Sequence, residues 1–98
     1  MIISMEKFGL VLTSRQAGKE ALAAFLPSLA GASADEEIII DFAGVNTFSP
    51  SWGDEFLTPL VERFGNRLKL KSTVNPSVKL TLEMLEKIHG VRFKAEDI

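Results

Sequence analysis

The run Ile38-Ile39-Ile40-Asp41-Phe42, a short loop, and then Ser49-Pro50-Ser51-Trp52 constrain this chain most. Three isoleucines in succession, then Asp and Phe, predict a short central strand covered on both faces. Ser49 as N-cap with Pro50 at the first helical position then opens a helix. The segment reads as a buried strand that delivers two hydroxyls to a helix N-terminus. Free backbone N–H groups and the helix dipole make such a place favourable for an anion or a phosphate.

The flanking segments fit around this centre. Ile2 to Met5 reads as a short strand and Phe8-Gly9 as a turn. Leu10-Val11-Leu12 is either a second strand making a hairpin or the entry to the first helix. Ser14 is a helix N-cap, and the helix runs to about Ala30 with Ala17, Ala21, Leu22, Phe25, Leu26 and Leu29 on its inner face. Gly18 and the alanines thin part of that face, so the helix can lie close to a sheet. Gly31 through Glu36 is a loop. The helix from about Pro50 to Phe64 turns Phe56, Leu57, Leu60, Val61 and Phe64 inward. Pro59 inside it costs about 3 kcal/mol. Burial of five large apolar side chains contributes roughly 1.5–3 kcal/mol each, so one kinked helix is expected, not two elements.

Arg67-Leu68-Lys69-Leu70-Lys71 alternates, which predicts a strand with one wet face near a sheet edge. Asn75-Pro76 caps a last helix that ends at His89, with Gly90 as its left-handed C-terminal cap. Val78, Leu82, Leu85 and Ile88 point to the core. Val91-Arg92-Phe93 either adds a short strand or packs on that helix before a frayed, charged tail. The order β(β)αβαβα implies a mainly parallel sheet of four or five strands with about three helices, whose ligands collect beyond the C-terminal ends of the strands.

Composition removes several classes of function. The 98 residues fit one domain, 1–98, and 46% apolar residues supply a core without staples. With no cysteine, disulfides and thiolate metal sites are excluded, which suits a reducing cytoplasm. A net charge of −2 argues against nucleic acid as a partner. No apolar run approaches the roughly 20 residues of a membrane span, and Met1-Ile2-Ile3 lacks the basic region of a signal peptide.

The pattern Ile-Ile-Ile-Asp-Phe-Ala-Gly-Val, a loop, then Ser-Pro-Ser-Trp-Gly-Asp-Glu-Phe-Leu resembles the STAS-like family of unknown function. That family is related to the STAS domains of bacterial anti-sigma-factor antagonists. The likeness extends upstream through Phe8-Gly9 and Ser14-Arg15, and downstream through Leu68, Leu70 and Val74-Asn75-Pro76-Ser77-Val78. It implies a regulatory α/β domain whose partner is an anti-sigma-type kinase or ATPase. In the relatives, a serine at the start of the helix after the central strand is phosphorylated by that kinase, and phosphorylation breaks the complex. Counted from Asp41, the matching position is Ser51. Three neighbours depart from the relatives' pattern: Ser49 replaces an acidic residue, Pro50 a small or hydroxyl residue, and Trp52 a glycine.

The individual residues each carry a structural and a functional reading. Ser49 and Ser51 are helix-capping hydroxyls or anion contacts, and Ser51 is the position for phosphorylation. Asp54 and Glu55 complement the dipole in the first turns, by about 0.3–1 kcal/mol each, and repel a second anion. Trp52, the only tryptophan, is core if it faces inward and an interface anchor if it faces outward; Phe48 shares this ambiguity. Asp41 accepts hydrogen bonds in its loop, since no partner acid or base is evident. One histidine, His89, and no cysteine cannot build an ordinary transition-metal site. No Gly-x-Ser-x-Gly elbow is present. Leu80 and Met84 lie off the apolar stripe, and form an exposed patch for a partner or a dimer unless Val91 and Phe93 cover them. Arg67, Lys69, Lys71 and Lys79 read as a solvated face.

Together these point to a non-enzymatic, cytoplasmic regulatory module without cofactor or metal. It binds a protein partner through Thr47–Glu55, with Ser49, Ser51, Trp52, Asp54 and Glu55 as contacts. The alternative is a small-molecule or nucleotide sensor using the same helix mouth.

Overall fold

The computed structural model describes residues 1–97. Six strands and three α-helices alternate: β1 (Ile2–Ser4), β2 (Val11–Leu12), α1 (Arg15–Leu29), β3 (Ile38–Asp41), β4 (Thr47–Phe48), α2 (Pro50–Phe64), β5 (Leu68–Lys71), α3 (Pro76–His89) and β6 (Lys94–Glu96). Short 3-10 helices cover Met5–Phe8 and Gly65–Arg67. β1, β3, β5 and β6 form one sheet in that order, and β2 pairs with β4 in a second. Every pairing is parallel. Three helices on a mostly parallel four-stranded sheet match the α/β, STAS-like architecture that the element order predicts.

β3 is an inner strand, as expected, but only one of its faces is covered. The main sheet steps in a single direction from β1 to β6, and right-handed crossovers then put every helix on the same side. Accordingly Ile3, Ile38, Ile40, Leu68 and Leu70 are buried, whereas Ile2, Ser4 and Lys71 are exposed and Ile39, Asp41 and Lys69 half-buried. The register aligns Ile2, Ile39, Lys69 and Lys94 in one row of the open face, and Ser4, Asp41, Lys71 and Glu96 in the next. Lys69 bridges Glu37 and Glu96 there, and Lys71 lies 3.8 Å from Asp41. The β5 lysines therefore tie strands together across an open face; the edge belongs to β6, which pairs with β5.

Several segments depart from expectation. Leu10–Leu12 forms no hairpin: Val11 and Leu12 run parallel to Thr47 and Phe48, 36 residues on. Phe8-Gly9 is the end of a 3-10 turn, with Gly9 at φ +129°. Val91–Phe93 is not a strand. It takes the other expected course and packs on α3, where the Phe93 N–H donates to Glu86, and only the frayed tail is overturned: Lys94–Glu96 continues as β6.

The helices obey their local signals. Ser14, Ser49 and Asn75 each accept backbone N–H groups as N-caps, and Gly90 adopts the left-handed C-cap. α2 runs unbroken through Pro59. The thin face of α1 meets α2, not the sheet: a Cβ on Gly18 would lie 2.6 Å from the Trp52 carbonyl oxygen. That close approach rotates α1 so that Gly18, Phe25 and Leu29 are buried while Ala17 and Leu26 stay exposed. On α3 the buried positions are Val78, Thr81 and Leu85, and Ile88 is turned out to solvent.

Candidate functional site

The mouth of α2 is built by β2 and β4 together. Ser49 follows β4 directly. Its N–H donates to Leu12 O at 2.9 Å, its hydroxyl donates to Thr13 O at 2.8 Å, and the same oxygen accepts from Trp52 N at 3.3 Å. Ser49 is therefore a cap and a tether to the segment that leads into α1. Ser51 sits one residue past Pro50, half-buried, and its hydroxyl has no hydrogen-bond partner among the described residues.

Trp52 does not belong to this surface. It is 1% exposed and stacks on Phe56 at 5.0 Å between ring centroids. The inward position follows from helix geometry: Trp52, Phe56 and Leu60 share one face at four-residue spacing, and that face packs under Phe8 and Phe48. An interface anchor at Trp52 is thereby overturned. Phe48 is buried likewise.

Asp54 and Glu55 lie beyond the first turn of α2, so their partner is not the dipole of their own helix. Arg15 Nη1, on the first residue of α1, reaches Glu55 Oε1 at 2.9 Å and Asp54 Oδ2 at 3.2 Å. A cation at a helix N-terminus opposes the dipole, and the two carboxylates offset that. Asp54 Oδ1 also accepts from Thr58 at 3.0 Å and lies 2.7 Å from His89 Nε2. Burial pushes the Asp54 carboxyl up, but hydrogen bonds from His89, Thr58 and Arg15 outweigh it and hold the group below the usual carboxylate range. Hydrogen bonds to Glu55 and Asp54 raise the Arg15 guanidinium further. His89 thus closes a polar network that joins all three helices. Sequence reading found its members apart from Arg15 and Thr58, but not their convergence, because they lie on different elements.

Two neighbours of the mouth escaped the sequence reading. Leu10 and Val11 are 56% and 61% exposed, and Leu10 O accepts from Asn46 N and Thr47 N at 2.8 and 3.1 Å. β2 buries Leu12 and turns Val11 outward, so an apolar pair borders the segment from Thr47 to Ser51. Leu10, Val11 and Leu12 are all apolar, so the sequence carries no alternation that marks which of them turns outward.

A concave surface is present elsewhere. An open cleft of about 750 Å3 is lined by Phe42–Thr47 and Thr73–Ser77, beyond the C-terminal ends of β3 and β5. It sits at the mouth of α3, and neither Ser49 nor Ser51 lines it. Its wall is held by Asn75, whose side-chain amide donates to Val45 O at 2.9 Å and Asn46 O at 3.1 Å while its oxygen caps Ser77 N and Val78 N. Asp41, below the cleft, accepts from Ala43 N at 2.9 Å and does what a loop carboxylate does. Among the described residues no group of three or more His, Asp and Glu is placed to hold a metal ion, and no helix is long and apolar enough to cross a membrane.

Searches of curated proteins and of solved structures returned no match. A comparison with family profiles matches residues 17–78 to the STAS-like domain of unknown function. The matched span runs from the first turn of α1 through the first turn of α3, and so contains β3, the α2 mouth and the cleft. Over more than half its length, then, this chain belongs to the STAS-like domain family of unknown function.

Proposed function

We propose that the chain is a non-enzymatic regulatory module that binds a protein partner through the mouth of α2 and the adjoining β2. Leu10 and Val11 supply the apolar contact, and Arg15, Asp54 and Glu55 the polar rim. The partner is a kinase or ATPase of the anti-sigma type, and Ser51 is the residue it phosphorylates. The observation that carries this reading is the contrast between two serines. Ser77, at the same place in α3, is engaged on both sides by Phe48, whereas the Ser51 hydroxyl has no protein partner among the described residues. A phosphate on Ser51 would add negative charge one helical turn from Asp54 and Glu55, in the middle of the contact surface, and so would disfavour the complex.

The test is titration of the protein with the purified anti-sigma-type kinase of the same host, followed by incubation with ATP and intact-mass measurement. Binding that weakens with Leu10→Ser or Val11→Ser, and a single added phosphate that Ser51→Ala abolishes, is the expected result. No complex, or a complex indifferent to both apolar changes, would overturn the reading.

A further inference from the structure

Arg15 on α1 holds two carboxylates of α2, and both are neighbours of one serine. Its Nη1 lies 2.9 Å from Glu55 Oε1 and 3.2 Å from Asp54 Oδ2. Asp54 and Glu55 follow Ser51 by three and four residues. Side chains at those spacings are adjacent on a helix surface, with Cβ atoms about 5–6 Å apart. The start of α1 therefore brackets Ser51. On one side Thr13 O accepts from the Ser49 hydroxyl, and on the other Arg15 reaches Asp54 and Glu55. The close approach of Gly18 to the Trp52 carbonyl keeps the two helix starts side by side. A long cation thus stands within reach of a hydroxyl that has no partner among the described residues.

The present contact of Arg15 is one that can be exchanged. Its side chain is 55% exposed, and an ion pair in such a setting is weak. If Arg15 moves, Asp54 keeps the Thr58 hydroxyl and His89. A phosphate on Ser51 carries about −1.5 to −2 charge at pH 7 and three acceptor oxygens, against a single charge on each carboxylate. Attraction to the guanidinium scales with that charge, and the planar fork fits two phosphate oxygens as well as it fits a carboxylate. The exposed N–H groups at the start of α2 favour the same anion. We propose that Arg15 receives the phosphate of a phosphorylated Ser51, giving up Asp54 and Glu55 to do so. On the regulatory reading above, on which this assignment rests, the exchange is how the modification is read. The cation of the polar rim turns to the phosphate, and Glu55 is left without its present ion pair.

The whole chain with phosphoserine built in at position 51 during synthesis tests this without any kinase. Phosphorus NMR over a pH series reads the second ionisation of the phosphate, whose ordinary pKa is about 6. The charged groups around it are Arg15 from α1, Asp54 and Glu55 from α2, and His89 from α3 behind Asp54. Arg15→Gln should raise that pKa by about one unit, a roughly tenfold tighter hold on the proton. Arg63→Gln removes an equal charge about 18 Å further along α2 and should leave it unchanged. In a crystal structure of the phosphoserine chain, an Arg15 nitrogen should lie within hydrogen-bond distance of the phosphate and no longer of Glu55. Equal titrations of the parent and Arg15→Gln, an equal rise with Arg63→Gln, or a guanidinium still seated on Glu55 would overturn the assignment. Because no kinase is used, failure here leaves Ser51 phosphorylation standing, and a chain that no kinase binds or phosphorylates leaves this result standing.

Discussion

α2 and α3 begin with the same device. Ser49-Pro50-Ser51 and Asn75-Pro76-Ser77 each offer a capping side chain, a proline at the first helical position, and a serine behind it. Their tertiary wiring differs. Ser77 accepts from Phe48 N at 3.0 Å and donates to Phe48 O at 3.2 Å, and the buried Thr81 hydroxyl adds a second bond to that carbonyl at 2.6 Å. Asn75 spends both faces of its amide, on its own helix and on the Val45–Asn46 loop. At the other mouth Ser49 reaches only the Leu12 and Thr13 carbonyls beyond its own helix, and the Ser51 hydroxyl has no partner among the described residues. A hydroxyl at a given helical position acquires its role from what is brought opposite it. One mouth has become a clamp between α3 and β4; the other keeps an uncommitted hydroxyl at the surface.

Substitutions put magnitudes on that contrast. The largest effect is expected at the clamp: Asn75→Ala removes a cap worth about 1 kcal/mol and two donors worth about 0.5–1.5 kcal/mol each. A loss of about 2–4 kcal/mol in urea unfolding should result, against about 1.5–2.5 kcal/mol for Ser49→Ala, which removes a cap and the single bond to Thr13 O. Equal losses would break the comparison. The paired serines come next. Ser77→Ala leaves the Phe48 N–H without its partner and should cost about 1–2 kcal/mol, while Ser51→Ala should stay within about 0.5 kcal/mol. A Ser51→Ala loss as large as that of Ser77→Ala would show the hydroxyl to be structural.

The smallest expected effect is a pH dependence confined to the α2 mouth. The folded state holds the Asp54 carboxyl below its unfolded value, so its contribution to stability is complete above the unfolded value. It fades as pH falls through the folded one, in the region around and below about pH 4. Asp54→Asn should flatten the acid limb of melting temperature against pH, modestly, because the site is partly solvated. Ser77→Ala should leave that limb's slope unaltered. Parallel acid limbs for Asp54→Asn and the parent would remove Asp54 as the source.

Local chemistry made much of this legible beforehand. Caps at Ser14, Ser49 and Asn75, the Gly90 stop, and the strands at β3 and β5 announce themselves within four or five residues, because the backbone groups they satisfy are near neighbours. The misses share a cause. β4 is two residues long and carries no periodicity; it exists because Leu10 O accepts from Thr47 N and Leu12 O from Ser49 N, just past its end. The three isoleucines of β3 mask its alternation, since Ile39 is apolar yet lies on the open face. β6 is Lys-Ala-Glu, with no strand signature, and is held by pairing to β5. At the end of α3 the polar His89 turns toward Asp54 and Ile88 turns away, against hydropathy, because a carboxylate one helix over outbids the core.

What the sequence by itself determined is the order of elements, the starts and stops of the helices and the family pattern, since each is written in contacts a few residues long. Only the tertiary structure decided which face of the sheet is covered, which of two equivalent serines is free, where Trp52 points, and which side chains converge on Asp54. Those are relations between residues some thirty to forty positions apart, and they come into being only when the crossovers place one element against another.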